Sequence, residues 1–174
     1  MASAAKTPST GRSVPAVNTT GPDTLDEIDR RIIDALVADA RMTNRDLAEA
    51  VGIAPSTALM RTRSLMERRA IEGFTARLNL NVIGRSVQAL IAVRLRAHDR
   101  DEIDRFTSTV PRLPEVLSTF HVSGAVDYLL HIAVPNTDVL RDWVLDNLTT
   151  DPVVGQTETT LVFSHMPGHA GPLT

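Results

Sequence analysis

The chain of 174 residues contains no cysteine. Disulfides, thiolate metal sites and cysteine nucleophiles are excluded, and a reducing, cytoplasmic setting is expected. Aromatic residues are only 3% of the chain against 43% hydrophobic residues, so aliphatic side chains must fill the core. No run of about 18 apolar residues occurs, so no membrane-spanning helix is expected. Residues 1–24, rich in Ala, Ser, Thr, Pro and Gly, lack the apolar stretch of a signal peptide. They offer too little apolar surface to offset the entropy of ordering, and are expected to form a disordered arm. There is no phosphate-cradling glycine loop and no nucleophile–base set, which argues against an enzyme. Nor is a metal site expected. His165 and His169 are four apart, but Pro167 and Gly168 between them oppose a helix. His121 and His131 are expected to face each other on a hairpin as an ordinary core or surface pair.

What is present is unevenly distributed. Net charge is −3. Residues 25–80 hold nine basic and nine acidic side chains, whereas residues 81–174 hold seven basic and eleven acidic ones. Between Pro55 and Arg77 there are five arginines against Glu67 and Glu72. A local basic face on a mildly acidic protein points to a confined nucleic-acid contact rather than general coating.

Residues 25–72 read as three helices. In "LDEIDRRIIDALVADA", Leu25, Ile28, Ile32 and Leu36 recur three or four apart, and acids fill the first turn, where the helix dipole favours them. In "MTNRDLAEAVG", Thr43 or Asn44 can cap a second helix that Gly52 ends. Pro55 or Ser56 opens the third. Helix, short glycine-containing turn, helix is the helix-turn-helix pattern, whose second helix can enter a major groove. The alternative is a plain three-helix bundle with a solvated arginine face. Residues 73–86 follow as strand and linker: Ile71, Phe74, Ala76 and Leu78 alternate loosely, and Gly84 breaks the chain.

Residues 87–165 read as βαββαβ, with residues 166–174 as a tail. Val87, Ala89, Ile91, Val93 and Leu95 alternate with more polar neighbours, as in a strand. Asp99 and Glu102 resemble a capping box ahead of a helix carrying Ile103, Phe106 and Val110. Val116, Phe120 and Val122 are expected on one face of a second strand, "VDYLLHIAV" forms a third, and Thr137 caps a second helix. A last strand runs from about Val153 to Phe163. The expected fold is α+β, with a winged-type helix-turn-helix domain joined to a ferredoxin-like domain. Both helices cover one sheet face. The other, with Leu90, Leu117, Leu129 and Ala133, needs a partner, so a two-fold dimer through the sheets is expected.

These stretches resemble the Lrp/AsnC (leucine-responsive/asparagine, feast–famine) family of transcription factors from about Leu25 to Phe163. The resemblance rests on "LDEIDRRIIDAL", "DLAEAVGIAPSTALMRTRSLMERRAIEGF", "ARLNLNVIG" and "EVLSTFHVSGAVDYLLHIAV", the last with glycine-x-x-aspartate at Gly124 and Asp127. It implies a sheet-mediated dimer, often assembled into octamers, and an amino acid or similar small molecule bound between dimers. It also implies a departure: relatives usually carry serine where this chain has Ala54, and Ser56 or Thr57 is left to supply the cap.

The expected function is sequence-specific binding of double-stranded DNA, modulated by an amino-acid-like effector. The alternative is an amino-acid-sensing module that acts through protein contacts. The expected DNA-facing residues are Ser56, Thr57, Met60, Arg61, Arg63, Ser64 and Arg68. Arg61 and Arg63 point about 200° apart on a helix, so Arg63 suits the groove and Arg61 a phosphate or a neighbouring acid. Arg68, Arg69 and Arg77 are either phosphate contacts or solvated. In "VSGAVDY", backbone N–H groups around Ser123, Gly124 and Ala125 suit a carboxylate and Asp127 an ammonium. Spacing alone fits an ordinary hairpin turn equally well; the resemblance favours an effector site. Gln156 and Thr157 are expected to line it.

Overall fold

The computed structural model describes residues 25–96, 100–166 and 168. The arm at 1–24 lies outside them, as do Asp99 of the expected capping box, Pro167 and His169. Two compact units meet between Thr75 and Ala76.

The first unit holds α1 (Glu27–Ala38), α2 (Asn44–Val51) and α3 (Pro55–Glu67). The Asp26 carboxylate caps α1 by accepting from the Asp29 N–H at 2.8 Å. Thr43 caps α2 by accepting from the Asp46 N–H, and its hydroxyl donates back to the Asp46 carboxylate. Gly52 closes α2 at φ 77°, a left-handed conformation in which a side chain would be strained. Gly52, Ile53 and Ala54 form the turn into α3. Ala54 holds the cap position of α3 without a side-chain bond, and among the described residues neither Ser56 nor Thr57 replaces it. Ile32, Leu47, Val51, Ala58 and Leu65 bury the three helices against one another.

The expected strand from Ile71 to Leu78 is not formed, so among the described residues the unit has no wing strand. Residues 72–79 carry no ladder. An extended segment becomes a strand only when its backbone groups find a partner, and none is paired with it among the described residues.

The second unit holds β1 (Val87–Leu95), α4 (Arg100–Thr109), β2 (Val116–His121), β3 (Tyr128–Val134), α5 (Thr137–Val144) and β4 (Val154–Val162). A 3₁₀ turn follows α4 and a π-helical turn follows α5. The four strands pair antiparallel in the order β2-β3-β1-β4, the ferredoxin-like arrangement expected. Asn136 rather than Thr137 caps α5, its side-chain oxygen accepting from the Val139 N–H at 2.9 Å. Thr137 already has helical backbone. Ala89, Ile91 and Val93 alternate inward as expected and pack with Leu130 and Ile132 against Phe106, Leu140 and Trp143. Arg105 pairs with Asp151 at 2.7 Å, tying α4 to the turn before β4 and holding the Asp151 carboxyl below its ordinary range.

A bulge between Val116 and Ser118 divides the expected face of β2. Val116 lies opposite Ile132, toward the helices, while Phe120 lies opposite Leu129, on the helix-free face. Leu117 falls at the bulge itself. The helix-free face carries Leu90, Ala92, Leu129 and an exposed Phe120, and Ala133 there is already buried within the single chain. His121 and His131 do not face each other. His121 pairs with Tyr128 and stacks on its ring at 4.7 Å. His131 meets the Gln88 side-chain oxygen at 3.0 Å and His165 edge-on at 5.2 Å. Burial, and then the His165 charge, push the His131 imidazole below its ordinary pKa.

Candidate nucleic-acid interface and effector site

The arginines of α3 are sorted by the acids of α1. Asp29, only 6% exposed, accepts from Arg61 at 2.8 Å through one oxygen and from Arg68 at 2.9 Å through the other. Arg61 also reaches Asp26 at 2.6 Å. Asp26 and Asp29 hold the Arg61 guanidinium above its ordinary pKa, while the Asp29 N–H and then Arg61 pull the Asp26 carboxyl down. Two of the seven residues expected to face DNA are therefore turned to carboxylates of their own unit. Helical geometry explains the pairing: residues 61 and 68 are seven apart, nearly two turns, and share one flank of α3.

The opposite flank is different. Ser56, Leu59, Met60, Arg63, Ser64 and Glu67 line one shallow groove along α3. Arg63 is exposed and forms no hydrogen bond or ion pair among the described residues. Thr57, a quarter-turn from Ser56, sits toward the α1 flank and is half-buried. Leu59 and Glu67 were not among the expected residues. Their spacing of four from Arg63, on either side, was the available signal.

The second site is the β2–β3 turn. Gly124 has φ 132°, and a Cβ placed there would meet nothing within 4 Å, so backbone conformation rather than space calls for glycine. Ser123, Gly124 and Ala125 are exposed. Asp127 is a junction: its N–H donates to the Val93 carbonyl at 2.9 Å, its carbonyl accepts from Val122, and its carboxylate accepts from the Leu95 N–H at 2.7 Å. One Asp127 oxygen thus holds the end of β1, a role that spacing did not reveal. Gln156 and Thr157 do not act together. Gln156 lies opposite Arg94 and Thr157 opposite Val93, so they project to opposite faces of the sheet. Among the described residues, no group of three or more His, Asp or Glu is placed to hold a metal, and no helix is long and apolar enough to cross a membrane.

A helix-turn-helix unit with an uncommitted polar flank on its second helix, followed by a ferredoxin-like unit, defines a two-module protein. Two family models match these modules in order. The AsnC-type helix-turn-helix domain matches residues 25–66, and the Lrp/AsnC ligand binding domain residues 88–169. The chain is 41% identical over 149 residues to the HTH-type transcriptional regulator AldR of Mycobacterium tuberculosis, covering 86% of this chain and 83% of that one. It is 33% identical over 142 residues to the leucine-responsive regulatory protein of Escherichia coli K12, covering 82% and 87%. The crystal structure of the M. tuberculosis AldR superposes with a TM-score of 0.76 at 38% identity over 86% of this chain and 99% of that one. A Neisseria meningitidis transcriptional regulator in complex with L-Met superposes with a TM-score of 0.78 at 30% identity, over 87% and 97%. The chain belongs to the Lrp/AsnC family of helix-turn-helix transcriptional regulators, which are not enzymes.

The Asp29 bridge carries a prediction. Asp29→Asn removes the charge that neutralises Arg61 and Arg68 while keeping a side chain of similar size. It should destabilise the helix-turn-helix unit by about 1.5–3 kcal/mol, the value of hydrogen bonds to a charged partner. Urea unfolding followed by circular dichroism reads the loss; an unchanged midpoint would show the bridge to be energetically idle.

Proposed function

We propose that α3 binds double-stranded DNA through Ser56, Met60, Arg63 and Ser64, with Thr57 at the margin, and that an amino acid bound at the β2–β3 turn modulates this binding. The observation that carries the DNA reading is the exposed Arg63 lining the α3 groove, without a hydrogen bond or ion pair among the described residues. A guanidinium there suits the two acceptors of guanine. Arg61 and Arg68 are left out of the contact set, because one guanidinium nitrogen of each is bonded to Asp29, which turns both side chains toward α1. Arg69 remains exposed beside them and suits a phosphate, which would position the protein without specifying sequence.

The effector reading rests on the turn and on kinship with a regulator solved with L-Met. Backbone N–H groups of the exposed residues Ser123, Gly124 and Ala125 suit the carboxylate, and the Asp127 oxygen not bonded to Leu95 suits the ammonium. Gln156 stays beside this site on the helix-free face, and Thr157 does not. That face, with Leu90, Leu129 and Phe120, suits a two-fold dimer, and four such dimers would bring turns together into an octamer. Such a regulator works in the cytoplasm. The effector shifts the equilibrium among assemblies only through its differential affinity for them.

Selection from a random-sequence duplex pool supplies the operator, and titration of the enriched duplex with and without the twenty amino acids tests the pairing of functions. Arg63→Ala should weaken binding by about 1–3 kcal/mol and relax preference at one base pair. Unaltered affinity and preference would remove Arg63 from the interface. Asp127→Asn keeps an acceptor for the Leu95 N–H and removes the charge. It should reduce the response to the active amino acid at least tenfold in concentration while DNA affinity without effector is kept; a wild-type response would reject Asp127 as the ammonium partner.

A further inference from the structure

Met60 is 64% exposed and Leu59 42% exposed, yet both lie in the α3 groove between Ser56 and Arg63. Single exposed apolar residues are ordinary. Two adjacent ones set among hydrogen-bonding side chains form an apolar strip inside a polar surface. On α3, Met60 lies about 60° from Arg63 around the axis and about 4.5 Å along it. Base pairs in duplex DNA are about 3.4 Å apart along each strand. A helix that places the Arg63 guanidinium on one base pair therefore places Met60 within one or two steps of it. Among the groups on the major-groove edges of the four bases, the thymine C5-methyl is the apolar one. The unbranched Met60 side chain has the rotatable bonds to lie against it.

We propose that Met60, assisted by Leu59, is a specificity-determining residue that selects thymine beside the base pair read by Arg63, through contact with the thymine methyl group. The inference rests on the DNA-binding reading of α3 and adds the base class. A half-site recognised by this chain then contains thymine within two base pairs of the guanine assigned to Arg63. The contact is hydrophobic, so it releases no counterions, in contrast to phosphate contacts.

The test uses the full chain and duplexes enriched from a random pool, resynthesised with deoxyuridine in place of thymine one position at a time. Deoxyuridine keeps every hydrogen-bonding group and removes only the methyl. One or two substitutions, within two base pairs of the position where Arg63→Ala loses preference, should weaken wild-type binding about three- to fourfold per methyl removed from contact. Met60→Ala should bind thymine and uracil duplexes alike, and Met60→Leu should keep the discrimination. Met60 is exposed, so both variants should fold, and circular dichroism checks this. Wild-type protein that binds both duplexes alike, or Met60→Ala that still discriminates, overturns the assignment while leaving DNA binding intact. A pool with no enriched sequence overturns the DNA-binding reading and this inference together.

Discussion

The organisation of the DNA-binding unit depends on one carboxylate. Asp29 sits on the buried side of α1; one of its oxygens accepts from Arg61 of α3 and the other from Arg68 at the C-terminal cap of that helix. Without it, Arg68 would lose its carboxylate partner and Arg61 would keep only Asp26. With it, α3 is held to α1 along one flank by charge-assisted bonds, which are stronger than neutral ones. The same pairing settles which residues remain outward. A helix has one face for each use, and the face opposite Arg61 and Arg68 is the one lined by Ser56, Met60, Arg63 and Glu67. Ala58 and Leu65 fall between the two flanks and fill the core.

A comparable economy operates at the end of the sheet. Asp127 joins β1 to the β2–β3 turn through backbone and carboxylate bonds, so the turn that presents Ser123, Gly124 and Ala125 rests on the central strand rather than on a free loop. Preorganised backbone donors recognise an anion with little ordering cost. The β4 residues near this end come from the far side of β1, and strand alternation admits only alternate ones to either face.

Much of this arrangement was legible in the sequence. Period-two alternation in Val87–Leu95 and three-to-four spacing in Leu25–Leu36 gave strand and helix, because burial of one face imposes those periods. Gly52 and Gly124 were readable as turn residues because each requires positive φ. The rest depended on partners distant in sequence. Helical spacing separates Arg61 from Arg63, but it left Arg61 between a phosphate and a neighbouring acid; the packing of α3 on α1, with Asp29 32 residues from Arg61, selects the acid. The β2 bulge inverted the expected facing of Phe120 relative to Val116, since one extra residue flips every later side chain. The segment at 72–79 shows the converse: alternation was present, but strand formation also needs a neighbour. For the same reason, His121 and His131 looked paired by spacing and are held apart by register.

The central claim is that the arginines of α3 are divided, with Arg61 spent on the fold and Arg63 left for DNA. The most direct measurement is the salt dependence of binding to the enriched duplex by Arg61→Gln, taken below its unfolding temperature. Each phosphate contact contributes about 0.9 to the slope of log affinity against log salt concentration. A slope equal to that of the wild type, alongside lowered stability, is the expected result. A slope shallower by about one, with stability intact, would put Arg61 on a phosphate and contradict the division.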